Sequence, residues 1–411
     1  MASPPPRVQR LQSQMTAHNL DAIICTQPTS SFYLSGFNPI IYSDPVLVIL
    51  PRQSGPILLV HALRSTHAKS SAWTPTIHLY GTWGPAPTLA PTWPVALTTL
   101  LDGCDLPTHP TIGIEHDTLP ATQHTLLRHT LPTATLTNCT PLLHASRAIK
   151  DPDEIAHTRI AATLAEKGME SAIAALAHPS TSERDAVLAA LQSMHAHWAA
   201  HYPSVEICDF GSPEGGVNSG LTAWVLSGPR QAFGCDNPLP RVPRPGESVS
   251  VFVWAVANGM HAELERTVWI GEVGLGLGLG GLSPWRAMRD ALDIRAEVLR
   301  LLRPGPAVRE LYRAAVRGYE VRGYAAYVPG RIGHSVGLGP HELFFLEERE
   351  ERMLQAGMVV AVEVNILVPG AGGACVQFSD TFLVTAEGWE RLTRFAEGVV
   401  TVRADGDVTV V

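Results

Sequence analysis

The stretch Gly333-His334-Ser335-Val336-Gly337-Leu338-Gly339-Pro340-His341-Glu342 decides how this chain reads. Two histidines stand in a glycine-rich frame, and a carboxylate directly follows the second. Upstream lies Glu263-Leu264-Glu265-Arg266-Thr267. Side chains alternate along a strand, so Glu263 and Glu265 point to one face. Downstream, Glu363 sits inside the apolar run Met358–Leu367, where a carboxylate without a partner is costly. Imidazoles titrate near neutrality, and two carboxylates facing one pocket either bind a cationic or NH-rich group or divide a proton. His334, His341, Glu265 and Glu363 are therefore candidate catalytic residues, with Glu263 beside them. The plainer alternative pairs Glu265 or Glu363 with Arg266 as a buried structural ion pair.

With 411 residues, the chain is long enough for two domains. Its 45% hydrophobic content is that of an ordinary globular protein. A net charge of −8 points away from nucleic acid and anionic membrane. The six cysteines form no CxxC pair, no apolar leader opens the chain, and no run reaches membrane-spanning length, so a soluble cytoplasmic protein is expected.

Acidic residues mark the boundary: six Asp or Glu precede residue 150 and 32 follow it. The first part alternates a helical pattern, Val8 to His18, with short strands at Asp21–Cys25 and Val46–Leu50. Asp151-Pro152-Asp153-Glu154 then reads as a helix N-cap with proline at the first helical position. A second helix is expected over Ser182–Ala199, capped by Ser182. Strands are expected at 221–227, 248–256 and 262–270, helices at Pro284–Leu302 and Val308–Arg322, and a buried strand over Met358–Val368. The Gly-Leu alternation Gly274–Gly281 reads as a connector. It lacks the following Lys-Ser/Thr of a phosphate-cradling loop.

These motifs, in this order, resemble the creatinase/prolidase/aminopeptidase P superfamily over nearly the whole chain. Arg10-Leu11 through Tyr33-Leu34-Ser35-Gly36-Phe37 resembles the start of its N-terminal domain, and Arg147-Ala148-Ile149-Lys150 with Glu154 resembles the entry to its catalytic domain. The resemblance implies an α/β N-terminal domain, residues 1–147, and an α+β pita-bread catalytic domain, residues 148–411. Peptidases of the superfamily bind two metal ions through two Asp, one His and two Glu. Carried over position by position, that set falls on Phe252, Glu263, His334, Glu363 and Ser379. Phe252 and Ser379 supply no carboxylate, which predicts a protein without metal or other cofactor, the alternative being one ion on Glu263, His334 and Glu363.

Leu264-Glu265-Arg266-Thr267 is similar to creatinase, which uses this fold without metal. In that family the Glu of this motif and the later strand Glu hold the guanidinium of creatine, and their matches are Glu265 and Glu363. The creatinase histidine falls on Cys235 or on Asp236, depending on which flanking match is used. Cys235 reads either as a nucleophile or as a small buried hydrophobe. Arg230 is a candidate for gripping an anionic substrate, or a solvated loop residue. Phe252 and Trp254 make the chamber aromatic, suiting an apolar or ring-bearing substrate, though core packing explains them equally well.

The resulting expectation is a metal-independent enzyme that hydrolyses a C–N bond of a small molecule. The alternatives are a lyase, isomerase or cyclase, a metal-dependent Xaa-Pro peptidase, and a non-catalytic binding module. By resemblance to creatinase, a homodimer is expected in which the partner's N-terminal domain, near Phe37–Asp44 with Tyr42 as polar contact, completes the site.

Overall fold

The computed structural model describes residues 5–210, 219–234, 236–271, 283–368, 375–403 and 407–410. It divides into two compact units, residues 1–147 with 209–218, and residues 148–208 with 219–411.

The first unit is built on a six-stranded mixed sheet of β1 (Ala22–Cys25), β2 (Leu47–Pro51), β3 (Ile57–His61), β4 (Thr76–Tyr80), β5 (Thr111–Ile114) and β6 (Thr135–Asn138). Its order is β4-β3-β2-β1-β5-β6. The strands β1 and β2 are apolar throughout and fully buried, so both faces of the sheet centre are covered. The helical pattern begun at Val8 forms Pro6–Ala17, which buries Val8, Leu11 and Met15 at the spacing of one helix face. Tyr42 is buried in this unit and borders a cavity of about 380 Å³ that also includes Trp93 and Pro45.

The second unit holds a nine-stranded sheet. Its strands are β7 (Thr222–Ser227), β8 (Ser248–Ala257), β9 (Met260–Ile270), β10 (Gly333–Ser335), β11 (Val359–Glu363), β12 (Ser379–Val384), β13 (Trp389–Arg391), β14 (Val400–Val402) and β15 (Val408–Val410). β8 and β9 form a hairpin whose loop is Asn258-Gly259 with φ of 45° and 78°. These left-handed values are what a two-residue hairpin turn requires, and Asn-Gly is the pair that adopts them most readily. The hairpin is extended by β7 on one side and by β12 and β14 on the other.

Two long helices, Pro152–Leu176 and Glu183–His201, pack on this sheet through an Ala- and Leu-rich face. Both begin with reciprocal caps, Asp151 with Glu154 and Ser182 with Asp185, which satisfy otherwise orphaned N–H groups. Helices Pro284–Leu299 and Val308–Val321 join a second apolar cluster with Phe378 and Phe382.

The buried strand expected over Met358–Val368 is regular only from Val359 to Glu363. Beyond it, the Asn365 side chain accepts the Phe378 N–H at 2.9 Å, and pairing resumes as a single bridge between Ile366 and Val376. A side-chain amide competing for the ladder interrupts the strand. The segment Gly274–Gly281 lies outside the described residues. No helix among the described residues is long and apolar enough to cross a membrane.

Candidate functional site

The register of the second sheet assembles the site. Phe252 on β8 lies opposite Glu265 on β9, Glu265 opposite Ser379 on β12, and Ser379 opposite Glu363 on β11. One pleat along, Trp254 lies opposite Glu263, and His334 on β10 lies opposite Ala361. Residues in register share a face, so this alignment gathers Glu263, Glu265, Glu363 and His334 from three strands, β9, β10 and β11.

His334 is fully buried, and its Nε2 lies 2.7 Å from Glu363 Oε1 and 3.1 Å from Glu263 Oε2. One N–H cannot point along both directions, and no directed hydrogen bond reaches this nitrogen. Burial acts to lower the pKa of His334, but the negative charges of Glu263 and Glu363 outweigh it and hold the imidazole well above its ordinary range. Burial likewise opposes ionisation of Glu263, where the charge of His334 prevails and brings the carboxyl below its usual value. Glu265 goes the other way: burial, then the charges of Glu263 and Glu363, hold it well above the carboxylate range. Glu263 Oε1 and Glu265 Oε2 are buried without a directed hydrogen bond among the described residues.

Donor atoms of Glu263, His334 and Glu363 all lie within 4.8 Å of one another. Ligands about 2.0–2.1 Å from a tetrahedral ion stand roughly 3.3 Å apart, close to the separations of His334 from the two carboxylates. The three residues therefore fit a divalent ion. Trp254 Nε1 donates to Glu263 Oε2 at 2.9 Å, the kind of outer contact that orients a ligand. Trp254→Phe keeps the ring and removes the donor. It is expected to weaken metal binding by about 10- to 100-fold by calorimetric titration, and unchanged affinity would show that this bond orients nothing.

Arg266 does not pair with either site carboxylate. The alternation that directs Glu265 to the site sends Arg266 to the opposite face, where Nη2 donates to Asp380 at 2.9 Å. Asp380 also binds Arg295 at 2.5 Å, so this buried cluster is complete without Glu265 or Glu363. His341 packs on His334 with ring centroids 4.0 Å apart, and burial, followed by the charge of His334, pushes its pKa down to about 4.

Arg230 does not join the group. Its guanidinium binds Glu183, Asp236 and the Asn237 carbonyl, and Asp236 is thereby part of a loop ion pair. Cys235 lies outside the described residues. Tyr42 belongs to the other unit. Phe252 and Trp254 stack in parallel, 5.9 Å apart, and Trp224 meets Trp254 edge-on at 4.6 Å. Trp224 was legible only as an alternate residue of a strand.

A cleft of about 570 Å³ leads to Glu363 and is also lined by Tyr327, Arg331, Glu347, Asn365 and Leu367. That volume suits a small ligand. Arg331 and Asn365 carry no motif signal. Arg331 reaches the cleft with its guanidinium 4.3 Å over the Phe345 ring.

The sheet thus converges two carboxylates and an imidazole whose donor atoms could hold a metal ion, beside a cleft. Residues 156–386 match the model of metallopeptidase family M24, and residues 7–149 match the creatinase/prolidase N-terminal domain. The chain belongs to metallopeptidase family M24. It is 23% identical over 391 residues to an uncharacterized peptidase of Staphylococcus aureus strain bovine RF122 / ET3-1, covering 95% of this chain and 99% of that one. The prolidase from Pyrococcus horikoshii OT3 superposes with a TM-score of 0.76 at 20% identity, over 95% of this chain and 99% of that one. An X-Pro aminopeptidase from Thermotoga maritima MSB8 gives 0.78 at 16% identity, over 96% and 100%.

These findings bear out the superfamily and its fold, an N-terminal creatinase-type domain followed by an α+β pita-bread domain. They overturn the expected metal-independent enzyme for a non-peptide C–N bond: the catalytic domain is that of a metallopeptidase family, and its relatives carry peptidase and prolidase names. Two lost carboxylates do not remove every donor, and the alternative of one ion on the three remaining residues has its geometry. Glu263, His334 and Glu363 still converge.

Proposed function

We propose that this chain is a metal-dependent hydrolase of the peptide C–N bond in short Xaa-Pro peptides. The observation that carries this is the convergence of Glu263, His334 and Glu363 at the end of a small-molecule cleft. The names of the Pyrococcus and Thermotoga neighbours support the choice of substrate.

Glu263, His334 and Glu363 would hold the ion, with Glu363 facing the cleft. A divalent ion there supplies a Lewis acid and lowers the pKa of a bound water. The protein's own groups divide the remaining work. Glu265, buried on the same face of β9 as Glu263, would serve as the acid–base group that hands a proton to the departing amine. His341 stays neutral at pH 7 and offers an imidazole hydrogen bond to a substrate carbonyl. Trp254 and Phe252 stand beside Glu263 and Glu265 on the neighbouring strand and present a stacked aromatic surface to the site.

Protein stripped by chelation and then supplied with Mn²⁺, Co²⁺ or Zn²⁺ should hydrolyse Xaa-Pro dipeptides. Activity should vanish on stripping and return with the ion. A panel of Xaa-Pro peptides that stays uncut with every ion would exclude this function.

A further inference from the structure

We propose that the site is built for one divalent ion and not two. This rests on the metal-dependent reading above and specifies its stoichiometry.

The case begins with donor supply. Glu263, His334 and Glu363 are the one group of three His, Cys, Asp or Glu residues with converging donor atoms among the described residues. A second ion 3.5–4 Å away, as in typical two-ion sites, needs donors of its own and carboxylates that bridge. On this face of the sheet, Glu265 remains. Its register partners on the two adjacent strands are Phe252 and Ser379. Side chains directly across a strand pair are about 5 Å apart at Cβ, so those two positions are where bridging partners of Glu265 would have to stand. Phe252 is 4% exposed, offers no lone pair, and lies parallel to Trp254 at an interplanar angle of 6°. Ser379 is fully buried and offers a neutral hydroxyl. Asp380, the next carboxylate along β12, turns to the opposite face and is bound by Arg266 and Arg295.

Charge leads to the same answer. One divalent ion is balanced by Glu263 and Glu363. Two would place four positive charges against the three carboxylates of Glu263, Glu265 and Glu363, in a site whose His334 and Glu263 side chains are 0% and 2% exposed. Buried charge left without balance is strongly unfavourable. In addition, the Trp254 N–H already occupies one oxygen of Glu263, which limits its capacity to bridge.

The test is metal content by mass spectrometry after loading with Mn²⁺ or Zn²⁺ and desalting, together with calorimetric titration. Wild-type protein should hold about one equivalent, Glu265→Gln should keep it, and His334→Ala should fall to about a tenth of an equivalent or less. The double variant Phe252→Asp/Ser379→Glu, which restores carboxylates on both sides of Glu265, should rise toward about two equivalents. Two equivalents in the wild type, or loss of an equivalent in Glu265→Gln, would overturn the single-ion site while leaving peptide hydrolysis intact. A folded double variant that still binds one ion would overturn the roles given to Phe252 and Ser379. No bound ion in the wild type would overturn both the stoichiometry and the metal-dependent function. If the double variant does not fold, the wild type and Glu265→Gln still decide the question.

Discussion

His334→Ala is expected to lower kcat/KM for Xaa-Pro dipeptides by roughly 100- to 1,000-fold, the loss seen when a group that stabilises transition-state charge is removed. The fold should persist, because the strand carrying His334 is held by its ladder with β11 and by the bridge between His334 and Phe345 through the backbone. The size of the effect follows from the position of Nε2, 2.7 Å from Glu363 and 3.1 Å from Glu263. No other imidazole among the described residues joins that group of donors. Alanine would leave two carboxylates facing each other, with the ligand set reduced to oxygen. Steady-state kinetics alongside circular dichroism separate the outcomes. A folded variant with wild-type turnover would make His334 a packing residue and dismantle the site.

Lys150→Met is expected to destabilise the protein by about 3–5 kcal/mol, the range for removing one member of a buried ion pair. Lys150 Nζ lies 2.9 Å from Glu342 Oε2, and both side chains are 1% exposed. Methionine preserves much of the apolar stem, so the change is chiefly one of charge. Glu342 follows His341 directly, and its other oxygen accepts the Leu338 N–H at 3.1 Å, so the carboxylate ties together the loop that presents His341. Gly337 makes room for it: a Cβ there would fall 2.0 Å from Glu342 Oε2. Urea unfolding should show a lower midpoint with an unchanged slope. Adding Glu342→Gln to Lys150→Met should recover part of the loss, because no buried charge is then left uncompensated. A single-variant shift below about 1 kcal/mol would mean that the pair is hydrated and contributes as a surface bridge does.

Much of the site was legible in the sequence. Period-two alternation put Glu263 and Glu265 on one face of a strand, and an isolated carboxylate in an apolar run singled out Glu363. The glycine-rich frame marked His334 and His341. The helix starts were equally plain, since Asp151 with Glu154 and Ser182 with Asp185 are local caps that need only a few neighbouring residues. The broken strand after Glu363 was not legible, because the competitor for its ladder, the Asn365 side chain, meets Phe378 only once two distant segments are paired.

What the sequence determined by itself is the set of faces: which residues alternate together, where helices begin, and which carboxylates stand in apolar surroundings. These depend on backbone periodicity and on contacts within a turn or two. Partnership was decided by the tertiary structure. Arg266 stands next to Glu265 in the chain yet takes Asp380, 114 residues away, because neighbouring residues of a strand face opposite sides. Trp254 becomes a support for Glu263 through the register of one hairpin, and Lys150 finds Glu342 across 192 residues. The convergence proposed to hold an ion belongs to this second kind. It depends on donor atoms from different strands arriving within a few ångströms, and Glu263, His334 and Glu363 are brought together by the strand order β10-β11-β12-β9.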